Sequence, residues 1–149
     1  MIKAALRGHG LTFEQVRGVF VSHFHPDHAG TLELLRRHGV IPWILERQAP
    51  HIAWLNEFFT QKKNDPHGDY APLDVDIVLP ITPDEARRHL ADCSIEGKIL
   101  YTPGHSDDSI TLIAGNAAFV GDMPPYEWHS IADCGVRRIY PAHGAATKI

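Results

Sequence analysis

The sequence contains little cysteine and no long apolar run, and each of these shortages excludes a class of protein. Only two of the 149 residues are cysteines, Cys93 and Cys134, which lie far apart and outside any CxxC arrangement. A disulfide scaffold is therefore not expected, and two free thiols fit a reducing cytoplasm. Because there is no run of about eighteen apolar residues, no membrane-spanning helix is expected either.

Basic charge and a secretory leader are also lacking. The net charge is −4 at pH 7, and basic residues occur as short pairs such as Arg36-Arg37 and Arg87-Arg88. This balance argues against a surface that binds nucleic acid. The first ten residues, MIKAALRGHG, lack the apolar stretch and cleavage site of a secretory signal. We therefore expect a cytoplasmic protein whose partner is neither a membrane nor a nucleic acid.

Length and hydrophobic patterning predict one domain, residues 1–149, of mixed α and β structure. The hydrophobic fraction of 44% and the charged fraction of 21% are ordinary for a globular protein. Periodicity and turn signals place helices and strands in alternation along the chain. The predicted helices are 2–9, 29–38, 50–61, 82–92 and 128–133. The predicted strands are 16–22, 41–45, 75–81, 98–101, 109–114, 117–120 and 136–140.

Three local signals are sharper than the rest. Thr82, Pro83 and Glu85 have the spacing of a capping box with proline at the first helical position, so a helix should begin there. Gly115-Asn116 separates two apolar runs, which predicts a two-residue hairpin turn. The segment 62–72 is dense in turn-forming residues and is predicted to be a loop.

Side chains that can bind metal recur at one kind of place in the predicted fold. Seven of them stand on loops that directly follow predicted strands: His23, His25, Asp27, His28, His105, Asp122 and His143. Loops at one edge of a sheet converge, so these side chains can share one cleft. Imidazole nitrogen and carboxylate oxygen suit zinc, iron or manganese, and no thiolate is placed to join them.

The spacing within SHFHPDHAG (residues 22–30) suggests two metal positions. In an extended backbone His23 and His25 point to the same side and can bind one ion. Asp27 and His28 follow Pro26 and can turn toward a second ion. Two-metal hydrolytic sites hold their ions about 3.5–4 Å apart, and a carboxylate such as Asp122 can bridge them. The alternative is a histidine-rich surface loop that binds metal adventitiously; the three further ligands at separate strand ends argue against it.

These motifs resemble those of the metallo-β-lactamase superfamily of binuclear metallohydrolases. HFHPDH resembles the HxHxDH signature, and YTPGHSDDS resembles the TPGHT-type loop. FVGD resembles the strand that ends in the bridging aspartate, and YPAHG resembles the loop that carries the final histidine. Together they span residues 11–144, nearly the whole chain.

The resemblance implies two divalent metal ions, with zinc expected and iron or manganese as alternatives. It assigns His23, His25 and His105 to the first ion. It assigns Asp27, His28 and His143 to the second, with Asp122 as the bridge. Asp27 is also the implied catalytic residue, because it is placed to orient the bridging hydroxide or to accept its proton.

The implied fold is an αβ/βα sandwich with the metals at the edge between its two sheets. Since only 22 residues precede His23, the first sheet is expected to be incomplete. Three explanations stay open: the chain is a fragment, its start was assigned late, or a partner chain, as in a homodimer, covers the exposed sheet. The implied activity is hydrolysis of a small-molecule ester, thioester or lactone by a bridging hydroxide. Two alternatives stay open: a phosphodiesterase or nuclease with the same site, and a catalytically silent metal-binding module.

Residues beside the motifs admit two interpretations each. Trp128 either lines a substrate pocket, together with Tyr126 and His129, or anchors the last helix in the core, which we favour. Asp107 and Asp108 either orient His105 and its neighbours through hydrogen bonds or cap the turn before the next strand.

Overall fold

Helices and strands alternate through most of the chain in a computed structural model that describes residues 2–61 and 71–149. The predicted loop at 62–72 lies outside these residues, apart from its last two positions. The helices are α1 (Ile2–Gly8), α2 (Pro26–Ala29), α3 (Leu32–Arg37), α4 (His51–Gln61) and α5 (Pro83–Asp92). The strands are β1 (Gly18–Val19), β2 (Ile41–Pro42), β3 (Gly97–Tyr101), β4 (Ile110–Ala114), β5 (Ala117–Gly121), β6 (Arg138–Pro141) and β7 (Thr147–Lys148). Three further segments are 3₁₀ helices: Phe13–Gln15, Val75–Ile77 and Pro125–Cys134.

Among residues 2–61 and 71–149, the first sheet consists of β1 and β2, which pair in parallel. The predicted strands 16–22 and 41–45 therefore contribute two residues each, shorter than expected. The chain leaves β1 toward the second sheet, where the Ser22 carbonyl accepts a hydrogen bond of 2.8 Å from Ile110 N. Beyond β2, Leu45 makes one isolated parallel bridge to Ile81. The expected incompleteness of this sheet is confirmed.

The predicted strand 75–81 is wrong over most of its length. Residues Val75–Ile77 form a 3₁₀ turn, and the Asp74 carboxylate accepts a hydrogen bond of 3.2 Å from Asp76 N. That local side-chain bond satisfies the backbone without a neighbouring strand. Pro80 has no N–H to donate to a ladder, so only Ile81 reaches the sheet.

The second sheet has five strands in sequence order, β3-β4-β5-β6-β7. All pairs are antiparallel except β5 and β6, which run parallel. The predicted hairpin turn is confirmed, with Gly115 at φ 56°. The segment between β5 and β6 is the 3₁₀ helix Pro125–Cys134, where an ordinary helix was predicted, and it ends at Gly135 with φ 75°. The short strand β7 was not predicted.

Helices pack on both sheets, and three apolar clusters form the core of the described residues. α3 and α4 pack on the first sheet through a cluster that includes Phe24, Leu32, Ile44 and Leu55. The 3₁₀ helix Pro125–Cys134 packs on the second sheet through a cluster that includes Ala118, Val120, Ile131 and Ile139. This is the mixed α/β sandwich that the resemblance implies. No helix in the described parts of the chain is long and apolar enough to cross a membrane.

The capping box forms as predicted and fixes the start of α5. Thr82 Oγ1 accepts a hydrogen bond of 3.2 Å from Glu85 N, and Glu85 Oε2 accepts one of 2.8 Å from Thr82 N. Two backbone donors at the helix start are satisfied in this way. α5 then packs on β3.

Candidate metal centre

Three imidazoles converge beyond β1 and β3. His23 Nε2 and His105 Nε2 each lie 3.0 Å from the same atom, His25 Nδ1. One nitrogen-bound proton cannot serve both contacts, whereas three lone pairs directed at one cation satisfy all three rings. Ligand atoms around a tetrahedral zinc with Zn–N bonds of ~2.0–2.1 Å stand about 3.3 Å apart, which is close to the spacing here.

A second group forms around Asp27 in α2. Asp27 Oδ2 lies 3.3 Å from His28 Nε2 and 3.2 Å from His143 Nε2. Pro26 at the first helical position starts α2, which carries Asp27 and His28. The ring of His28 packs against that of His23, with ring centroids 4.1 Å apart. Partial burial raises the pKa of Asp27, but its own backbone N–H and the imidazoles of His28 and His143 outweigh this and lower it overall. The carboxyl group is therefore ionised at neutral pH.

Asp122 contacts members of both groups from the end of β5. Its Oδ2 lies 3.4 Å from His28 Nε2 and 3.5 Å from His105 Nε2. Its Oδ1 lies 3.7 Å from His143 Nε2. All seven side chains singled out in the sequence thus meet at one place, in three overlapping groups of possible metal ligands.

Two buried atoms at the centre have no hydrogen-bond partner among the described residues: His28 Nε2 and Asp122 Oδ1. The neighbouring charged atoms lie within ion-pair distance, but the geometry does not allow a hydrogen bond. A buried polar atom without a partner costs about 1–3 kcal/mol. Divalent cations would satisfy both atoms, so these residues fit a metal site.

Burial sets the protonation state of His23, whose side chain is inaccessible to solvent. Burial lowers the pKa of His23 to about 4, and the imidazoles of His28, His25 and His105 contribute to this lowering, against the opposing effect of Asp122. His23 is therefore neutral at pH 7. A neutral imidazole is the form that binds metal.

The family model of the metallo-beta-lactamase superfamily matches residues 2–136 of the sequence. The chain belongs to the metallo-beta-lactamase superfamily. Members of this superfamily are largely metal-dependent hydrolases, in agreement with the cluster of histidines and aspartates. No curated protein matches the sequence significantly.

Solved structures from the superfamily share the fold. A metallo-beta-lactamase family protein from Thermus thermophilus is 18% identical, with a TM-score of 0.66 over 99% of this chain and 61% of that chain. A protein solved in a di-iron-bound form is 17% identical, with a TM-score of 0.64 over 99% of this chain and 78% of that one. An archaeal superfamily protein from Sulfolobus tokodaii is 18% identical, with a TM-score of 0.58 over 92% of this chain and 66% of that one. The chain thus spans less than two thirds of the Thermus protein.

Ser22 belongs to the candidate metal centre, but its role there was not predicted from the sequence. Its Oγ lies 3.1 Å from His23 Nδ1 and 3.2 Å from His28 Nδ1. One hydroxyl thereby holds two imidazoles with their Nε2 atoms toward the centre. Gly121, at φ 58°, makes room for it, since a Cβ there would lie 2.5 Å from Ser22 Cβ. The position of Ser22 before the motif was visible in the sequence, but its approach to Gly121 was not.

Asp108 connects the two loops that carry the first three histidines. It is 2% exposed, and its Oδ2 accepts a hydrogen bond of 2.7 Å from Phe24 N, between His23 and His25. Its Oδ1 accepts one of 2.7 Å from Ser106 Oγ, beside His105. Asp108 therefore orients the backbone around the candidate ligands and not one of their imidazoles. This modifies the interpretation that Asp107 and Asp108 orient His105 and its neighbours directly. Asp107 is exposed.

Gln48 is a second residue that sequence reasoning missed. Its buried amide Nε2 donates to the carbonyls of Val21 and Asp108, at 3.1 and 3.2 Å. Its Oε1 accepts a hydrogen bond of 3.2 Å from Leu45 N. Gln48 thus joins the end of the first sheet to the loop of His105, and no motif in the sequence marks it.

Proposed function

We propose that the chain is a binuclear metal-dependent hydrolase of a small-molecule ester, thioester or lactone. The observation that carries this proposal is the position of Asp122, whose Oδ2 contacts both His105 of the first group and His28 of the second, while its Oδ1 contacts His143. A carboxylate between two sets of imidazoles is the arrangement that a pair of cations requires.

In this proposal His23, His25 and His105 would hold one ion, and Asp27, His28 and His143 would hold the other. Asp122 would supply a carboxylate to both. The bound ions would supply a water of lowered pKa and polarise the substrate carbonyl. Zinc is the metal we propose, and its preference for imidazole nitrogen and carboxylate oxygen, which iron and manganese share, is compatible with these ligands. Iron is the alternative that the di-iron form of a related structure supports.

The chain's own residues would orient the ligands and move the proton. Ser22 fixes the rings of His23 and His28, and neutral His23 keeps its Nε2 lone pair for coordination. Asp27 is ionised, and its side chain is 59% exposed at the mouth of the site. We propose that its carboxylate accepts the proton released during attack and passes it toward the leaving group.

Metal analysis and a substrate panel test the proposal. After reconstitution with zinc, the protein should hold about two equivalents of tightly bound metal. Asp122→Ala should lower this to about one equivalent or less, while the control His9→Ala, at an exposed histidine, should leave it unchanged. Well under one equivalent in the unmodified protein would remove the basis for the proposal.

The substrate panel separates the remaining functions. Turnover of esters, thioesters or lactones supports the proposal. Turnover of bis(p-nitrophenyl) phosphate alone would replace it with a phosphodiesterase or nuclease. Two bound metals without turnover on either class would indicate a silent metal-binding module. A cytoplasmic location stays a prediction, compatible with the free thiols of Cys93 and Cys134.

A further inference from the structure

A cavity of about 310 Å³ opens directly beside the candidate metal centre. Asp122 and His143 form one part of its wall. The remaining side chains that line it are apolar: Met123, Pro124, Pro125, Trp128, Pro141 and Ala145. The cavity is therefore continuous with the place where the proposed chemistry occurs.

Apart from the candidate ligands Asp122 and His143, none of the described side chains that line this cavity offers a free hydrogen-bond donor or a charge. Trp128, which also packs on the core of the second sheet as we favoured from the sequence, uses its Nε1 to donate to the Met123 carbonyl at 3.2 Å. The only polar side chains in the lining are the two candidate metal ligands. The basic residues Arg137, Arg138 and Lys148 line a different cavity. A charged group at the end of the cavity away from Asp122 and His143 would have to lose its hydration without gaining a partner.

The size of the cavity suits a small apolar group. An apolar cavity of ~150 Å³ is large enough to bind benzene, and ligand sites begin at about 300 Å³. This cavity can therefore take a short aliphatic chain or a single ring, with one end reaching Asp122 and His143.

We propose that the cavity binds the uncharged, apolar acyl group of the substrate. This inference rests on the proposed hydrolase function for the position of the scissile carbonyl, which would lie at Asp122 and His143 with its acyl chain against Trp128. The substrate class is then a neutral ester, thioester or lactone of a short to medium aliphatic acid. An acid with a charge at the far end of its chain is excluded.

Binding can be measured without turnover, because Trp128 lines the cavity and the chain has only three tryptophans. In the metal-loaded double variant Trp43→Phe/Trp54→Phe, Trp128 is the sole tryptophan. Butanamide, hexanamide and octanamide should each change its emission, with binding about fourfold tighter for each added CH₂ until the cavity is full. Adipamic acid, in which a carboxylate replaces the terminal methyl group of hexanamide, should bind at least about tenfold more weakly than hexanamide. Equal affinities along the series, or equal binding of adipamic acid, would overturn the proposal.

A pair of neighbouring alanines provides matched variants outside the core. Ala145 lines the cavity and Ala146 does not, and both are exposed. Ala145→Asp should remove the dependence of affinity on chain length, because it places a charge in the cavity wall. Ala146→Asp should keep that dependence. If both variants behave like the unmodified protein, the amides bind elsewhere and the proposal fails.

The rate of ester hydrolysis distinguishes this proposal from the hydrolase function itself. Along p-nitrophenyl acetate, butyrate, hexanoate and octanoate, kcat/KM should rise in the unmodified protein and in Tyr126→Ala, and stay flat in Ala145→Asp. Tyr126 is exposed and does not line the cavity. Chain-length-dependent binding without hydrolysis would support the cavity and overturn the hydrolase. Hydrolysis with no dependence on chain length, in rate or binding, would overturn the cavity and leave the hydrolase standing.

Discussion

Ser22 and Gly121 show how single residues set the geometry of the candidate centre. The Ser22 hydroxyl lies between two imidazoles, and it reaches this position because Gly121 has no side chain. Gly121 is held at a positive φ of 58°, where glycine alone is unstrained. Ser22 and Gly121 are not candidate metal ligands, yet together they determine the orientation of the imidazoles of His23 and His28.

Gly121→Ala should destabilise the protein and weaken metal binding, whereas Gly115→Ala should only destabilise it. Both glycines have a similar positive φ, but a Cβ at Gly115 would meet open space and one at Gly121 would strike Ser22. Backbone strain costs about 1–3 kcal/mol in either variant. Chemical denaturation and competition with a chelator measure the two effects. Unchanged metal affinity in Gly121→Ala would contradict the role assigned to Ser22.

The lowered pKa of His23 predicts a loss of stability in mild acid. Its pKa falls from 6.5 to about 4 in the folded protein, so between these values the unfolded chain binds more protons than the folded one. The free energy of unfolding of the metal-free protein should therefore decrease as the pH falls from 6.5 toward 4. Denaturant titrations in the presence of a chelator measure it. His23→Asn should show a shallower decrease, and an equally steep one would contradict the assignment.

Among the elements, the loops after β1 and β3 depend on a buried connection between them. Asp108 accepts hydrogen bonds from the backbone of one loop and from the serine beside His105 in the other. The side-chain amide of Gln48 donates hydrogen bonds to the backbone carbonyls of Asp108 and Val21. Hydrogen bonds to a buried charged group are worth about 1.5–3 kcal/mol, enough to keep both loops in one arrangement.

Asp108→Asn should reduce metal affinity by about 10- to 100-fold, the range for outer partners of metal ligands. The amide can accept one of the two hydrogen bonds but presents an NH₂ group to the other donor. Asp107→Asn is the matched control, because Asp107 is the exposed neighbour in the same loop. Isothermal titration with zinc compares the two variants. A loss of equal size in Asp107→Asn would show that the loop charge, rather than the buried contacts, matters.

The elements that the sequence predicted correctly have short-range causes. The capping box at Thr82 and Glu85 and the turn at Gly115-Asn116 each depend on residues within four positions. The strand predicted at 75–81 failed because Asp74 satisfies the backbone locally. The strands at 16–22 and 41–45 are shorter than predicted because strand length depends on a neighbour, which local patterns do not reveal.

At the scale of the whole molecule, an apolar face between the two sheets is open to solvent in the described parts of the chain. A cavity of about 350 Å³ there is lined by apolar side chains that include Phe20, Leu112, Phe119 and Tyr140. Phe119 is 44% exposed and stacks on Tyr140 with ring centroids 5.0 Å apart. In the described parts of the chain β1 pairs only with β2, so its other edge is open beside this face.

We propose that a second copy of the chain covers this open face. Sedimentation equilibrium should then show a dimer whose population rises with concentration. Phe119→Lys should yield a monomer, because it places a charge in the apolar face. Leu79→Lys is the control, since Leu79 is 81% exposed and does not line that cavity. A monomer at every concentration of the unmodified protein would contradict the proposal.

The sequence by itself determined which side chains are candidate metal ligands and on which loops they stand. It could do so because the motifs are short and each follows a recognisable strand. Only the tertiary structure decided that Asp122 contacts both groups, that Ser22 serves two imidazoles, and that Asp108 reaches Phe24 across 84 positions. Such contacts depend on how the sheets and loops are placed relative to one another, and no local pattern encodes that placement.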